Sequence, residues 1–197
     1  MFYTRKMYVV DPRSSAGWIE KALEFIAANS RGSGLPAGLV ARLRQLHSRN
    51  KIGIREMGIG RVGGYNRLTG RITLNSTKFC FLKRDFRRQL EALECDGARP
   101  ERLLQIEGQH TRAVIELSGV LVHEAQHSLR FVWSRADDET FAFRAEQQWY
   151  YHLHTLDSSH RGAIEALARD AEYDSTSSPV YAGLQIDAPC LIVGGQI

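Results

Sequence analysis

Residues 114–131 read Val-Ile-Glu-Leu-Ser-Gly-Val-Leu-Val-His-Glu-Ala-Gln-His-Ser-Leu-Arg-Phe, which is the strongest pattern in the chain. Within it, His123 and His127 stand four residues apart. On an α-helix, residues four apart lie one above the other on the same face, so both imidazoles can reach a single metal ion. Apolar residues recur through the stretch at helical spacing, which predicts a buried and therefore rigid helix.

The residue types in this pattern favour zinc chemistry. Protein zinc is held by imidazole nitrogens and carboxylate oxygens in a tetrahedron, and catalytic sites keep one position for water. Glu124 directly follows His123, so its carboxylate can reach a water molecule on the same ion and act as general base. The residues therefore predict hydrolysis by a zinc-activated water, with His123 and His127 as ligands. The competing interpretation is that two histidines stand near a glutamate by accident.

A third ligand is expected on the helix that follows. Asp137-Asp138-Glu139 has the acidic residues typical of a helix N-terminus, one of the aspartates serving as cap, and a helix is predicted over 140–153. A helix packed across the zinc helix can present one carboxylate to the ion. Glu139 and Glu146 are seven residues apart on nearly the same face, so one can be the ligand while the other orients an imidazole N–H. Glu172 is a third candidate.

Two segments, Val122-His123-Glu124-Ala125-Gln126-His127 and Asp138-Glu139-Thr140-Phe141-Ala142, together resemble the zincin metallopeptidases of the gluzincin type, whose third ligand is a glutamate. The resemblance implies a zincin-like fold and hydrolysis of peptide bonds. It also implies that His123 and His127 bind zinc, that Glu124 is the general base and that Glu139 is the third ligand. The spacing of twelve residues from His127 to Glu139 is short for this type, which keeps Glu146 open as the alternative.

The predicted fold class is α+β, mainly helical with a small antiparallel sheet beside the zinc helix. Amphipathic helices are predicted over 15–29 and 37–49, and a final helix over 163–173. Between 52 and 75, alternating residues and glycine-containing turns predict two or three short antiparallel strands. An edge strand beside the zinc helix can pair with an extended peptide through main-chain hydrogen bonds. Residues 1–197 are expected to form one metallopeptidase domain.

Composition and charge narrow the choice of partners. The chain is 43% hydrophobic and 24% charged, which is ordinary for a globular protein. Its net charge is +4, with basic clusters at 42–51 and 83–88 that we interpret as solvated helix faces. No aromatic residues alternate with these clusters, so nucleic acid is not favoured as a partner. A protein or peptide substrate is what the resemblance to the zincin metallopeptidases implies. Two alternatives stay open: a catalytically silent zinc-binding interaction module, and a basic nucleic-acid-binding protein with an accidental motif.

The cysteines and the first residues bear on where the protein works. Cys80, Cys95 and Cys190 are an odd number at wide spacings, which indicates neither a disulfide framework nor a cysteine zinc site. The start of the chain lacks the apolar region of a signal peptide, and no apolar run reaches membrane-spanning length. We therefore expect synthesis in the cytoplasm. Size and this lack of a signal also resemble the metallopeptidase effectors and toxin domains that bacteria export through specialised secretion systems, which implies a delivery partner.

A donor for the oxyanion that develops during hydrolysis is expected among tyrosines and histidines near the C-terminal side of the site. The candidates are Tyr150, Tyr151, His152, His154, His160, Tyr173 and Tyr181. For each of them, ordinary packing of the ring with its polar tip at the surface is the favoured interpretation. The sequence therefore leaves this role unassigned.

Overall fold

The computed structural model describes residues 15–57, 61–76, 100–129, 134–156, 161–162 and 164–169, with the backbone alone in 15–16 and 100–110. Within these ranges the chain is mainly helical and carries a small three-stranded sheet, in agreement with the α+β class. The elements are α1 (Ser15–Asn29), α2 (Leu39–Ser48), β1 (Ile52–Arg55), β2 (Gly63–Asn66), β3 (Arg71–Asn75), α3 (Pro100–Leu129) and α4 (Arg135–Leu156). The basic cluster at 83–88 and the three cysteines lie outside the described residues.

Helix α3 is the central element and carries the His-Glu-x-x-His pattern. It packs against α1, α2 and α4 and against strands β2 and β3. Its apolar residues Val114, Leu117, Leu121 and Ala125 are buried in one hydrophobic cluster that also includes side chains from every other helix and from the sheet. Burial of this stripe stabilises the helix and fixes the directions in which its polar side chains point.

The sheet is mixed, with strand order β1-β3-β2. Strand β2 is antiparallel to β3, with Tyr65 opposite Ile72, whereas β1 is parallel to β3, with Ile52 opposite the same residue. The prediction of an antiparallel sheet is therefore wrong for the β1–β3 pair. The reason is topological: β3 lies between β1 and β2, so the chain reverses twice before β3 pairs with β1. Alternation of apolar and polar residues reports which face is buried, not which strands are neighbours.

Asn75 holds the connection from β1 to β2 where it passes the end of β3. Its side-chain Oδ1 accepts a hydrogen bond from the Met57 N–H at 3.2 Å, and its Nδ2 donates to the Arg61 carbonyl at 2.6 Å. Its own N–H donates to the Val62 carbonyl at 2.9 Å. The buried amide therefore fixes the residues on both sides of the connection and sets the position at which β2 begins.

Strand β2 is an edge strand that lies beside α3. Among the described residues it pairs with β3 alone. Because Val62 and Asn75 form a hydrogen-bonded pair, the alternation of an antiparallel ladder directs the main-chain groups of Gly63 and Tyr65 away from β3. A Cβ on Gly63 would stand 2.9 Å from Oε1 of Glu124 on α3. Within the described residues, the prediction that an edge strand lies beside the His-Glu-x-x-His helix is thus confirmed.

Helix α4 crosses α3 at close range. A Cβ on Gly119 would lie only 2.0 Å from the hydroxyl of Tyr150, so the helices approach this closely because residue 119 is glycine. Next to this contact, Trp149 Nε1–H donates to Ser118 Oγ at 2.7 Å. The helix extends past both ends of the predicted 140–153 segment, while α1 has the predicted bounds. Residues 164–169 are helical, within the predicted final helix. None of the helices in the described ranges combines the length and apolar character needed to cross a membrane.

Candidate metal centre

The three residues proposed as ligands lie together. His123 and His127 are buried on successive turns of α3, and Glu139 lies in the second turn of α4. Oε2 of Glu139 is 3.3 Å from Nε2 of His123 and 3.4 Å from Nε2 of His127. One donor atom from each of the three residues therefore falls within 4.8 Å of the other two.

These distances suit a tetrahedral zinc site. When an ion lies about 2.0–2.1 Å from each donor at tetrahedral angles, the donors are separated by about 3.3–3.4 Å. The two nitrogen–oxygen distances of the cluster agree with that separation. Two imidazole nitrogens and one carboxylate oxygen are also a ligand set that catalytic zinc uses, and they leave a fourth position for water. The residues present therefore fit the ion.

The second nitrogen of each ring is held by another carboxylate. Nδ1 of His123 is 3.0 Å from Oε2 of Glu146, and Nδ1 of His127 is 2.7 Å from Oδ2 of Asp138. A carboxylate only accepts, so each Nδ1 carries the proton and each Nε2 is directed towards Glu139. This geometry separates the two competing glutamates, because Glu146 meets the side of the His123 ring that faces away from Glu139. Glu172, the third candidate, lies outside the described residues.

Asp138 has a different position from the expected helix cap. At the start of α4 it is Ser134 that accepts a hydrogen bond, from the Asp137 N–H to Oγ at 3.3 Å. The Asp138 carboxylate instead points inwards, where its Oδ2 binds His127 and also accepts from Nη2 of Arg67 at 2.5 Å. Arg67 lies in the turn between β2 and β3. The sequence analysis missed both roles, because the acidic run resembles an ordinary helix start and Arg67 is 71 residues away in the chain.

Glu124 lies beside the cluster with its carboxylate buried between α3 and β2. Its side chain is 6% exposed, and Oε2 has no hydrogen-bond partner among the described residues. Burial raises the pKa of Glu124 above its usual value, and the neighbouring His123 and His127 partly oppose that rise. A buried carboxyl group with a raised pKa and an unused oxygen is suited to proton transfer near neutral pH.

Protons hold the cluster together when no metal is bound. Burial alone would lower the pKa of His123, but hydrogen bonds to Glu139 and Glu146 outweigh it and raise the pKa to about 10. The pKa of His127 is raised in the same way against the effect of burial, mainly by Glu139. For Glu139, burial acts to raise the pKa, but hydrogen bonds from both histidines lower it well below its usual value. A divalent cation would replace those protons between the same atoms.

Of the candidates for an oxyanion donor that the structure describes, Tyr150, His152 and His154 have other contacts, and Tyr151 faces solvent. The Tyr150 hydroxyl packs against Gly119, and Tyr151 is exposed. Nε2–H of His152 donates a hydrogen bond to the carbonyl of Asn29 at 2.8 Å, and His154 pairs with Glu165. His160, Tyr173 and Tyr181 lie outside the described residues. Phe143, which the sequence analysis did not single out, packs against the metal centre. Its ring contacts the His123 ring edge-on, with 4.5 Å between the ring centroids.

The assignment of this centre depends on the chain's own residues. A scan against protein-family models and searches of curated proteins and of solved structures found no match. The centre consists of two histidines from α3, an acidic pair from the start of α4, a second glutamate two turns later and an arginine from the hairpin turn. Its parts come from three separate elements, so its assembly depends on the fold and not on local sequence alone.

Proposed function

We propose that the protein is a zinc-dependent metallopeptidase, with His123, His127 and Glu139 as the zinc ligands and Glu124 as the general base. The observation that carries the proposal is the convergence of both Nε2 atoms on one oxygen of Glu139, at 3.3 and 3.4 Å. The buried Glu124 carboxylate, with Oε2 unused among the described residues, is what distinguishes this centre from a purely structural metal site.

The residues have separate tasks in this mechanism. Bound zinc supplies a Lewis acid that polarises the peptide carbonyl and makes water easier to deprotonate. Glu124 removes a proton from the attacking water and later returns it to the leaving amine. Glu146 and Asp138 keep the two imidazole rings oriented, because their carboxylates accept from Nδ1 of His123 and His127.

Strand β2 is the proposed place for the substrate backbone. Its edge away from β3 is unpaired among the described residues, and the main-chain groups of Gly63 and Tyr65 point towards that side. Gly63 is also in contact range of Glu124. An extended peptide that adds to this edge would therefore bring one of its peptide bonds to the general base.

Iron is the principal competitor for the same ligands. Two histidines and one carboxylate also form the facial triad of non-haem iron(II) oxygenases. Those enzymes leave several positions open on the ion and do not need a buried carboxylate base beside it. The raised pKa of Glu124 therefore favours hydrolysis, and analysis of the bound metal tests the choice directly.

The experiment compares the parent chain with Glu124→Gln and His123→Ala after purification without added metal and reconstitution with zinc. We expect about one zinc per chain in the parent and in Glu124→Gln, and loss of zinc in His123→Ala. Cleavage of unfolded protein should fall by at least about a hundredfold in Glu124→Gln. Zinc bound with no cleavage of any polypeptide would favour a silent binding module. Iron in the protein as purified, with no cleavage by either the iron form or the zinc form, would exclude the hydrolase.

A further inference from the structure

Positive charge is concentrated in the part of the chain that forms α2 and the sheet. Between residues 31 and 76, Glu56 is the single acidic residue against nine basic ones. The basic residues are Arg31, Arg42, Arg44, Arg49, Lys51, Arg55, Arg61, Arg67 and Arg71. By contrast, the acidic side chains of the centre come from α3 and α4. The basic residues of α2 and the sheet therefore lie on a different part of the fold from the acidic side chains of the centre.

Four of these basic residues lie at the end of the sheet where β1 and β3 begin and β2 ends. We call Arg49, Lys51, Arg67 and Arg71 the sheet-end cluster. Nζ of Lys51 donates to the Thr69 carbonyl at 3.0 Å, and Nη2 of Arg71 donates to the Asn50 carbonyl at 3.3 Å. Carbonyl groups fix these side chains without neutralising them. Within the described part of the chain, Arg49, Lys51 and Arg71 form no ion pair.

The sheet-end cluster lies next to the proposed catalytic centre. Arg67 itself binds Asp138, which in turn binds Nδ1 of His127. Strand β2 runs from Gly63, against the general base, to Asn66, directly before Arg67. At about 3.3 Å per residue, this is a distance of about 10 Å along the strand. A polypeptide extended along β2 from the centre would therefore reach the cluster within about three or four residues.

We propose that the sheet-end cluster binds acidic side chains of the substrate polypeptide, so that the enzyme selects segments with Asp or Glu about three or four residues from the scissile bond. This inference rests on the proposed function and adds a substrate class to it. The cations in the cluster that form no ion pair within the described part of the chain are Arg49, Lys51 and Arg71. Such cations attract carboxylates and increase the rate of association with acidic partners. The charge, the extended edge strand and the distance from the centre are three separate observations that agree.

A polypeptide fits this surface better than a nucleic acid. Proteins that bind single strands combine cations with exposed aromatic rings on which bases stack. The large apolar residue exposed beside the cluster is Leu68, at 99% exposure, and Tyr65 packs against the core. Among the described residues the aromatic ring nearest the cluster is that of Tyr65, which is half-buried against the core and does not offer both faces for stacking. The exposed aliphatic side chain and the strand edge suit a peptide.

The test measures peptide binding without cleavage. Zinc-loaded Glu124→Gln protein is titrated with a fluorescent peptide that carries a short acidic run, and with the same peptide carrying Asn and Gln instead. We expect the acidic peptide to bind about tenfold more tightly, and added salt to remove most of the difference. Adding Arg49→Gln, Lys51→Gln and Arg71→Gln should also remove it. These three side chains are on the surface, and Arg67 stays in place to hold Asp138.

A control with the same loss of charge changes Arg112, Arg144 and Arg169 to Gln, which are exposed on helical segments outside the 31–76 stretch. It should keep the preference for the acidic peptide. Equal binding of both peptides by the Glu124→Gln protein would overturn the inference, as would a single-stranded oligonucleotide that binds more tightly than the acidic peptide and depends on the same three cations. Cleavage of the neutral peptide by the parent is measured separately, so its absence would count against the proposed function and not against the cluster.

Discussion

Each histidine of the centre uses both ring nitrogens. His123 lies between Glu139 at Nε2 and Glu146 at Nδ1, and His127 lies between Glu139 and Asp138 in the same way. Spacing along the chain found the histidines, because four residues on one helix fix their relation. It did not choose between Glu139 and Glu146, since two residues on one helical face can meet opposite sides of a ring that belongs to another helix.

The first prediction concerns Glu146. We expect Glu146→Gln to weaken zinc binding about tenfold, because the amide still accepts from Nδ1 of His123 but no longer carries the charge that makes the imidazole a stronger ligand. Glu146→Ala, which removes the acceptor, should weaken it about a hundredfold. Zinc affinity is measured by competition with a chromogenic chelator.

Glu165→Gln is the matched control for that measurement, since Glu165 pairs with His154 at 3.0 Å near the surface. Its zinc affinity should equal that of the parent. If Glu146→Ala loses zinc completely while Glu139→Ala retains it, the two glutamates have the opposite roles and Glu146 is the ligand.

At the scale of the elements, the contact between β2 and α3 determines where Glu124, the proposed general base, lies. A Cβ on Gly63 would be 2.9 Å from Oε1 and 3.3 Å from Cγ of Glu124. The side chain can move aside, so we expect Gly63→Ala to keep zinc and nearly all of its stability. Turnover should fall by roughly tenfold to a hundredfold, because the base is displaced by a fraction of an ångström to an ångström. Steady-state kinetics and zinc content together check this.

Gly64→Ala is a suitable comparison for that variant. A Cβ there meets the flexible end of Met57 at 3.4 Å and does not touch the centre. Its turnover should stay within about a factor of two of the parent. An equal loss of turnover in both variants would show that β2 tolerates no added side chain, and would remove the specific link between Gly63 and Glu124.

The crossing of α3 and α4 depends on Gly119. A Cβ at that position would lie 2.0 Å from the hydroxyl and 2.3 Å from Cζ of Tyr150. We expect Gly119→Ala to destabilise the protein by about 1–3 kcal/mol, measured by chemical denaturation. Adding Tyr150→Phe should not restore stability, because the ring carbon alone still overlaps the new methyl group. Full rescue by Tyr150→Phe would mean that the hydroxyl alone determines how closely the helices approach.

The elements differ in how far the sequence predicted them. Helices α1 and α2 have an apolar period that local residues set, so their bounds were predicted to within two residues. The pairing of β1 with β3 was not predicted, because strand order depends on which segments meet after the chain folds. Ser134 was also missed as the cap of α4, since the acidic run that follows is an equally good local signal.

For the whole molecule, the centre joins residues that the chain separates widely. Arg67 reaches Asp138 across 71 positions, and the sheet that carries Arg67 also carries the cationic surface. The identities of Arg67, Asp138 and Gly63 as parts of the centre follow from tertiary packing alone. Local reasoning found the residues that share one helix or lie just after it, and it had no means of finding those that the sheet brings in.

The metal-free protein should be least stable at high pH. His123 has a folded-state pKa of about 10 against an ordinary value of 6.5, so its contribution to stability is complete below about pH 6.5 and is lost as the pH rises towards 10. The raised pKa of Glu124 changes the stability in the same direction with pH. Its contribution to folding is complete below the ordinary carboxyl pKa of 4.5 and is lost as the pH rises. Glu139 acts oppositely, and its contribution is lost on acidification.

Bound zinc should oppose this loss of stability above neutral pH. It competes with protons for Nε2 of His123 and His127, so its affinity, and with it the stabilisation that binding gives, increases as protons become scarce. We expect the melting temperature of the chelator-treated protein to fall between about pH 6 and about pH 8.5, by about 2–4 °C for each kcal/mol lost, while the gap between zinc-loaded and chelated protein widens. Thermal unfolding followed by circular dichroism measures both quantities. His123→Ala should show a smaller fall and no gap, since the raised pKa of His127 accounts for part of the fall. A chelated parent that is more stable at the higher pH would contradict the proposed proton network.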